Sequence, residues 1–562
     1  MLKTKKKLKT IARIKFLFII FLTTIVQESQ SQPKAKDSNL TITKYISVKN
    51  AASSIGYDPI SKSIFYTTVS GNVYRVIEGT PNSDILMFDV TDHKIKHLQG
   101  MHFSDNSLFL VGNDWTDGTQ GIGLIKKGTL QGNDGSRNWS TVIETALYPA
   151  TKAAFDHGFS GITIDREKKY LYLSSGSRTD HGELQEVNGL FKGIREVPLT
   201  SAIFRFPIDS ENLMIPNNLA IINTNGWLFA DGTRNSFGLA FNSKGDLFGV
   251  DNSGDRDDHE ELNHIQKDHH YGFPWKMGTN DNPQQFPGYD PDKDLLVNKN
   301  SKAYKRGLYY DDNTFPKPPA NVTFTDPIEN MGPDANYYRD PSDGKVYKSK
   351  DGESLGTFTM HRSPLGLVFD QGNILKTPYT GSGFTLSFTQ GKGDENGYLS
   401  NSIWRLPVVP IDGSQDLIHL DIIYDQNNKP IKVKSTVIAD GFNFPVGSVL
   451  VDNNLYVLEY GTRGNRFIWK IELPKSNTTS VKDDSRNNLT HILYPNPVNQ
   501  KISIKKSNSK INYIKILDIT GKLVTKVNSV SNDIDVSKLS KGIYFMQIFT
   551  EKSILTRRFV KN

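Results

Sequence analysis

Apolar and polar positions alternate with a period of two, broken by glycine, from residue 45 to residue 473. Six segments repeat one order: a glycine with three mostly apolar residues, a polar turn, then an apolar strand. They are Gly56-Tyr-Asp-Pro with Ile64-Phe-Tyr66, and Gly100-Met-His-Phe with Leu108-Phe-Leu-Val111. Next are Gly161-Ile-Thr-Ile with Tyr170-Leu-Tyr-Leu173, and Gly238-Leu-Ala-Phe with Asp246-Leu-Phe-Gly-Val250. The last are Gly366-Leu-Val-Phe with Ile374-Leu375, and Gly447-Ser-Val-Leu with Leu455-Tyr-Val-Leu458. Third strands are predicted at Val73–Val76, Ala202–Phe206, Ser402–Leu406 and Phe467–Ile471. A hairpin extended by further strands cannot bury both faces alone, and radial stacking of such sheets does bury them. The fold class predicted is therefore all-β: a six-bladed β-propeller over residues 45–473. The widest gap between repeat glycines, Gly238 to Gly366, marks the largest insertion. Loops carried on a rigid scaffold are where sites are built.

The two ends of the chain follow other patterns. A basic stretch and the apolar run Phe16–Val26 give residues 1–31 the form of a secretory signal peptide, too short to span a bilayer comfortably. Residues 474–491 are polar and read as a linker. Residues 492–562 return to short alternating strands with turn signals, which predicts a small C-terminal β-sandwich.

Composition narrows the chemistry. The 562 residues contain no cysteine, which excludes thiol catalysis, Cys-ligated zinc and iron–sulfur clusters. The formal charge of +7 divides unevenly: residues 1–31 carry +6, residues 492–562 carry +9, and the body between them carries −8. An acidic body argues against nucleic acid as a partner.

Three clusters carry candidate chemistry. Asp156-His157 lies just before the third repeat, where a carboxylate can orient a histidine for proton transfer. Arg234-Asn235 lies at nearly the same distance before the fourth glycine. Equivalent positions on successive blades converge on a propeller axis, so His157, Arg234 and Asn235 are expected to meet. The stretch Asp251–Asn263 is dense in oxygen ligands and points to Ca²⁺ rather than a transition metal.

Thr233–Phe241, Gly245-Asp-Leu247, Glu260–Ile265 and Tyr271-Gly-Phe-Pro274, in that order and spacing, resemble the glucose/sorbosone dehydrogenase family of soluble quinoprotein sugar dehydrogenases. The resemblance implies a propeller that binds pyrroloquinoline quinone and Ca²⁺ and oxidises a sugar or related alcohol for an external electron acceptor. It implies His157 as general base with Asp156 beside it, Arg234 next to the quinone carbonyls, and Asn235 as a cofactor contact. Ser253 and Gly254 match the Ca²⁺-binding loop, and Lys392 matches the quinone-anchoring lysine. Phe442-Asn-Phe-Pro445 stands where the family has a basic pair, and Arg362 is the substitute the sequence offers. The alternatives are a non-catalytic propeller that binds carbohydrate or protein, and a Ca²⁺-dependent lactonase-type hydrolase.

Leu493-Tyr-Pro-Asn-Pro-Val498, Asp518–Lys522 and Leu539–Tyr544 resemble the C-terminal sorting domain of the type IX secretion system of Bacteroidetes. That resemblance implies handling by the type IX machinery, a secreted or cell-surface location, and removal of residues 492–562 on export.

Overall fold

The glycine of each repeat sits on a strand packed closely against its neighbours, and at Gly100 and Gly161 there is no room for a side chain. A Cβ on Gly100 would lie 2.3 Å from the Ser160 carbonyl oxygen, and one on Gly161 would lie 2.7 Å from that of Phe237. These contacts are between neighbouring innermost strands, which must approach closely to surround one axis. The structure is a computed structural model. It describes residues 32–562 except 80–82, 116–117, 151–154, 187–188, 333, 335–336, 349–355, 392–412, 462–463, 477–491, 506–510, 529–532 and 551–553. The chain forms two compact units, divided between Ser476 and Asn477. The proposed signal peptide and most of the linker lie outside the described residues.

In the first unit the innermost strands are Ala52–Asp58, His97–Ser104, Phe159–Ile164, Gly238–Phe241, Pro364–Phe369 and Pro445–Val451. They carry Gly56, Gly100, Gly161, Gly238, Gly366 and Gly447 in turn. Each touches the next, and the last touches the first, so the six sheets close into a ring. This is the arrangement of a six-bladed propeller. Blade 3 is representative. Phe159–Ile164 pairs with Tyr170–Ser175, which pairs with Ala202–Pro207, all antiparallel. Every residue of Phe159–Ile164 is buried because neighbouring blades cover both faces. Phe159, Leu173 and Phe204 pack there against Val111 and Ile125 of blade 2. Each such side chain contributes about 1.5–3 kcal/mol by leaving water.

Blade 4 has three strands, Gly238–Phe241, Leu247–Asp251 and Glu261–Ile265. In blade 5 the third strand is Leu417–Tyr424. The expected strand at 402–406 lies outside the described residues. Blade 6 is completed by the N-terminal strand Thr41–Ser47, which pairs antiparallel with Phe467–Glu472. The residue just before the innermost strand has a left-handed backbone in four blades: Ala51, Gly158, Ser363 and Phe444, with φ between 50° and 66°. That conformation bends the incoming chain, and it is strained for a side chain as bulky as Phe. A channel of about 550 Å³ runs along the axis between the innermost strands.

The second unit has two sheets. One orders Ile492–Tyr494, Lys501–Lys505 and Asp533–Asp535. The other orders Leu523–Val527, Ile511–Leu517, Gly542–Thr550 and Ile554–Lys561. Ile502, Ile514, Ile516, Met546, Ile548 and Phe559 form a single core, as in a β-sandwich.

Candidate functional site

At the end of the axial channel where the innermost strands begin, the chain leaves a cavity of about 480 Å³. Two repeated positions line it. One lies just ahead of the innermost strand or at its start and supplies Ser53, His157, Asn235, Ser363 and Phe444. The other follows the second strand of a blade and supplies Val69, Asn252, Phe388 and Tyr460. Gln99, Asp156, Thr389 and Gln390 complete the polar lining.

His157 and Asn235 flank Gly176. A Cβ at that glycine would lie 2.4 Å from His157 Cβ and 2.9 Å from Asn235 Oδ1. His157 Nδ1 donates to the Ser177 carbonyl at 3.2 Å. A carbonyl only accepts, so Nδ1 carries the ring proton and Nε2 presents its lone pair. Nε2 has no partner among the described residues. Burial, and then the positive charge of Arg234, push the imidazole down to about 3, against the bond to Ser177. The ring is therefore neutral and accepting at neutral pH.

Asn235 is held from behind. Asp251 accepts from the backbone N–H of Arg234 at 2.8 Å and from that of Asn235. The Asn235 amide donates to Asn252 Oδ1 at 3.0 Å, and Ser363 Oγ meets the same oxygen at 3.2 Å. Asn252 in turn donates to the Pro364 carbonyl. These bonds link blades 4 and 5 across the cavity wall.

Arg234 stands one residue from the wall but turns away from it. Its guanidinium donates to the Asp180 carbonyl at 2.7 Å, to Asp180 Oδ1 at 3.2 Å and to the Asn252 carbonyl at 3.1 Å. Burial opposes charge on Asp180, yet the His181 hydrogen bond and the Arg234 charge hold it down at about 2. Arg362 is likewise committed to Asp334 at 3.1 Å and to Asp416, with its side chain 1% exposed. Neither guanidinium lines the cavity.

Ser253 and Gly254 do not line it either. Gly254 packs on Asp180, whose oxygens lie 2.9–3.1 Å from where its Cβ would be. The nearby carboxylates already accept from the protein: Asp255 from Ala303 N–H at 2.7 Å, and Glu260 from Ser363 N–H at 2.6 Å. Among the described residues no three His, Asp or Glu side chains are grouped to hold a metal ion. Lys392 lies outside the described residues.

The structure thus brings Asp156, His157 and Asn235 to one cavity and leaves Arg234 and Arg362 behind its walls. Sequence reasoning passed over Gln99, Phe388, Phe444 and Tyr460. The repeat contained the signal, since Ser53, Asn235, Ser363 and Phe444 each stand three residues before a repeat glycine.

Three solved structures are similar to this chain. The soluble aldose sugar dehydrogenase of Escherichia coli, in its apo form, is 14% identical, with 77% of this chain and 99% of that chain covered and a TM-score of 0.46. The aldose sugar dehydrogenase of Streptomyces coelicolor, in a PQQ-bound form, is 14% identical, with 78% and 99% covered and a TM-score of 0.42. The PQQ domain of pyranose dehydrogenase from Coprinopsis cinerea, in a holo form, is 12% identical, with 79% and 98% covered and a TM-score of 0.47. Identity at this level assigns no residue of the site. No curated protein matches the chain. Residues 492–562 match the family model of the Secretion system C-terminal sorting domain. The chain therefore carries a sorting domain of the type IX pathway and is secreted or displayed at the cell surface.

Proposed function

We propose that the exported propeller is a sugar-directed oxidoreductase, which binds a neutral sugar or related alcohol in the axial cavity and uses His157 to take the proton of the hydroxyl being oxidised. The observation that carries this is the His157 tautomer. Ser177 fixes the proton on Nδ1, and Nε2 meets the cavity as an unpartnered acceptor. A substrate hydroxyl donates to Nε2, and the alcohol loses that proton as its hydride leaves to an external two-electron acceptor. A base held as low as about 3 receives the proton only as the carbon–hydrogen bond breaks, not in advance. The Ser177 carbonyl then steadies the imidazolium through Nδ1–H. Asn235 and Gln99 orient the other hydroxyls, and Asp251 and Asn252 keep Asn235 in place.

The family resemblance implies pyrroloquinoline quinone as the acceptor. That group carries three carboxylates, which need cationic partners. No Lys or Arg lines the cavity among the described residues, and the guanidinium groups of Arg234 and Arg362 are neutralised by Asp180, Asp334 and Asp416. The described residues do not fit the quinone, and no step here is routed through it. Among the described residues no three acidic or histidine side chains group around Ser253 and Gly254 to hold Ca²⁺, and no step here is routed through it either. That no Lys or Arg is among the described lining residues favours one second reading, a propeller that binds sugar without oxidising it.

The test uses the full exported chain with glucose and other sugars and a redox dye, with and without pyrroloquinoline quinone and Ca²⁺. Sugar-dependent dye reduction supports the oxidoreductase. Heat of sugar binding without dye reduction under any condition supports the binding propeller. Absence of both overturns the two readings together.

A further inference from the structure

The sorting domain contains a sheet that is apolar on both faces. In the order Leu523–Val527, Ile511–Leu517, Gly542–Thr550, Ile554–Lys561, its inner face supplies Ile514, Ile516, Met546 and Ile548 to the sandwich core. An antiparallel sheet covered on one side alternates apolar residues inside with polar residues outside. Here the outward positions of the two central strands are Tyr513, Lys515 and Leu517, and Ile543, Phe545, Gln547 and Phe549. None of them is fully buried; Ile543 is 41% exposed, and Leu523 of the edge strand is 49% exposed. Tyr513 and Phe549 stack on this face with ring centroids 4.2 Å apart. Its charges are of one sign. Lys526 Nζ lies 4.6 Å from the centroid of the Tyr513 ring, and Lys515 Nζ lies 5.2 Å from that of Phe549. Lys515 stands directly opposite Lys526 across the strands, and Phe545 opposite Arg558. Like charges directly opposite each other destabilise a sheet. No carboxylate relieves them among the described residues. Asp533 and Asp535 belong to the other sheet, and Asp518 sits in a turn where it accepts from Thr520 and Lys522 N–H.

We infer that this outward face is the recognition surface of the sorting domain, taken by an acidic protein receptor of the export apparatus whose carboxylates meet Lys515, Lys526 and Arg558 and whose apolar residues cover the Tyr513–Phe549 stack. The inference goes beyond the proposed oxidoreductase and does not depend on it; it rests on the sorting-domain match. Three features choose the occupant. Tyr, Phe and Arg beside exposed aliphatic side chains are what protein interfaces favour. The positive charge excludes a second copy of the same face, which would set like charges against each other. The directly opposed lysines weaken the sheet by itself, and an acidic partner turns their repulsion into attraction. The basic surplus of residues 492–562, thirteen Lys and Arg against four acids, draws the same partner from a distance.

The experiment uses the full chain in its own host. Lys526→Glu places a carboxylate opposite Lys515. The thermal midpoint of the sorting domain in the purified full chain should therefore rise, while the amount of propeller found outside the cell falls at least about tenfold. Lys526→Arg should export normally. Lys538→Glu makes the same change of charge at an exposed position after Asp533–Asp535, away from this face, and should also export normally. Suppressors that restore export of Lys526→Glu should replace an Asp or Glu in a component of the export apparatus. Normal export of Lys526→Glu, equal loss from Lys538→Glu, or loss accompanied by a lowered midpoint overturns the recognition surface. Suppressors confined to this chain overturn the acidic receptor. So does sedimentation of the native full chain with phosphatidylglycerol vesicles that Lys526→Glu abolishes, which gives the face to an anionic membrane instead.

Discussion

The two ends of the axial channel are built differently. Where the first strand of a blade turns into the second, the chain reverses tightly: two residues separate Ser104 from Ser107, and two separate Val451 from Asn454. Asp105 and Asp452 adopt the left-handed backbone these turns need. Blades 1, 3 and 4 reverse over the short spans 59–62, 165–169 and 242–246, and blade 5 has the long one, residues 370–382. At the His157 end, by contrast, 26 residues separate Ser175 from Ala202, and 29 separate Ser387 from Leu417. Here too lie the buried ion pairs of Asp180 with Arg234, Asp257 with Arg339, and Arg362 with Asp334 and Asp416. One end closes the scaffold with local turn chemistry. The other holds long loops in place with charges that have left water and depend on one another.

The largest effect that would sharpen this contrast is expected from Arg362→Ala. It strands Asp334 and Asp416 without their shared cation, and breaking a buried pair costs about 3–5 kcal/mol. Urea denaturation measures it; a loss below 1 kcal/mol would mean the loops do not rely on their buried charges. Next is His157→Gln. Turnover of the sugar should fall about 10²–10⁴-fold, the usual share of a general base, while stability at neutral pH holds. The same variant has a pH signature. The folded His157 titrates at about 3 and the free side chain at 6.5, so between those values the unfolded chain binds a proton that the folded chain refuses. Stability contributed there is full above pH 6.5 and declines as the pH falls toward 3. His157→Gln should make the acid limb of the stability profile shallower, and an unchanged limb would show that the imidazole is not held neutral. The smallest effect is expected at the opposite end. Asp105→Asn keeps the left-handed turn and removes an exposed ion pair with Lys168. Unfolding free energy should shift by less than about 0.5 kcal/mol and sugar affinity should not move. A larger change in either would abolish the distinction between the ends.

Much of the scaffold was legible because its constraint is local. Each innermost strand carries one glycine of the repeat, and at Gly100 and Gly161 the backbone of the next strand leaves no room for anything larger, so six glycines marked six blades. The first and last segments of the propeller pair with each other, as closure of the ring requires, but the closing strand Thr41–Ser47 begins four residues ahead of the bound at 45, because its own alternation is ordinary. His157 and Asn235 could be placed from the repeat, which fixes where a backbone position falls around the axis. It does not fix which way a long side chain reaches. Arg234 turns from the cavity because Asp180, 54 residues earlier, offers a carbonyl and a carboxylate. Arg362 turns toward Asp416, 54 residues later. No spacing rule announces such partners. Phe388, Phe444 and Tyr460 were hidden for another reason: none carries charge at neutral pH, and nothing in the residue type marks it as lining a cavity, although they occupy the same repeat positions.

The pairing of Thr41–Ser47 with Phe467–Glu472 also bears on the order of events in the cell. Thr43 and Lys470 meet across 427 residues of chain, so the ring stays open until its final blade has been made, and contacts of such separation form late. The sorting domain follows that blade. A ribosome that stalls anywhere within the propeller yields a chain with no export address. Placing the address last thus works as proofreading: only chains that possess every blade, and with them both partners of the closing strand pair, can be presented to the secretion apparatus.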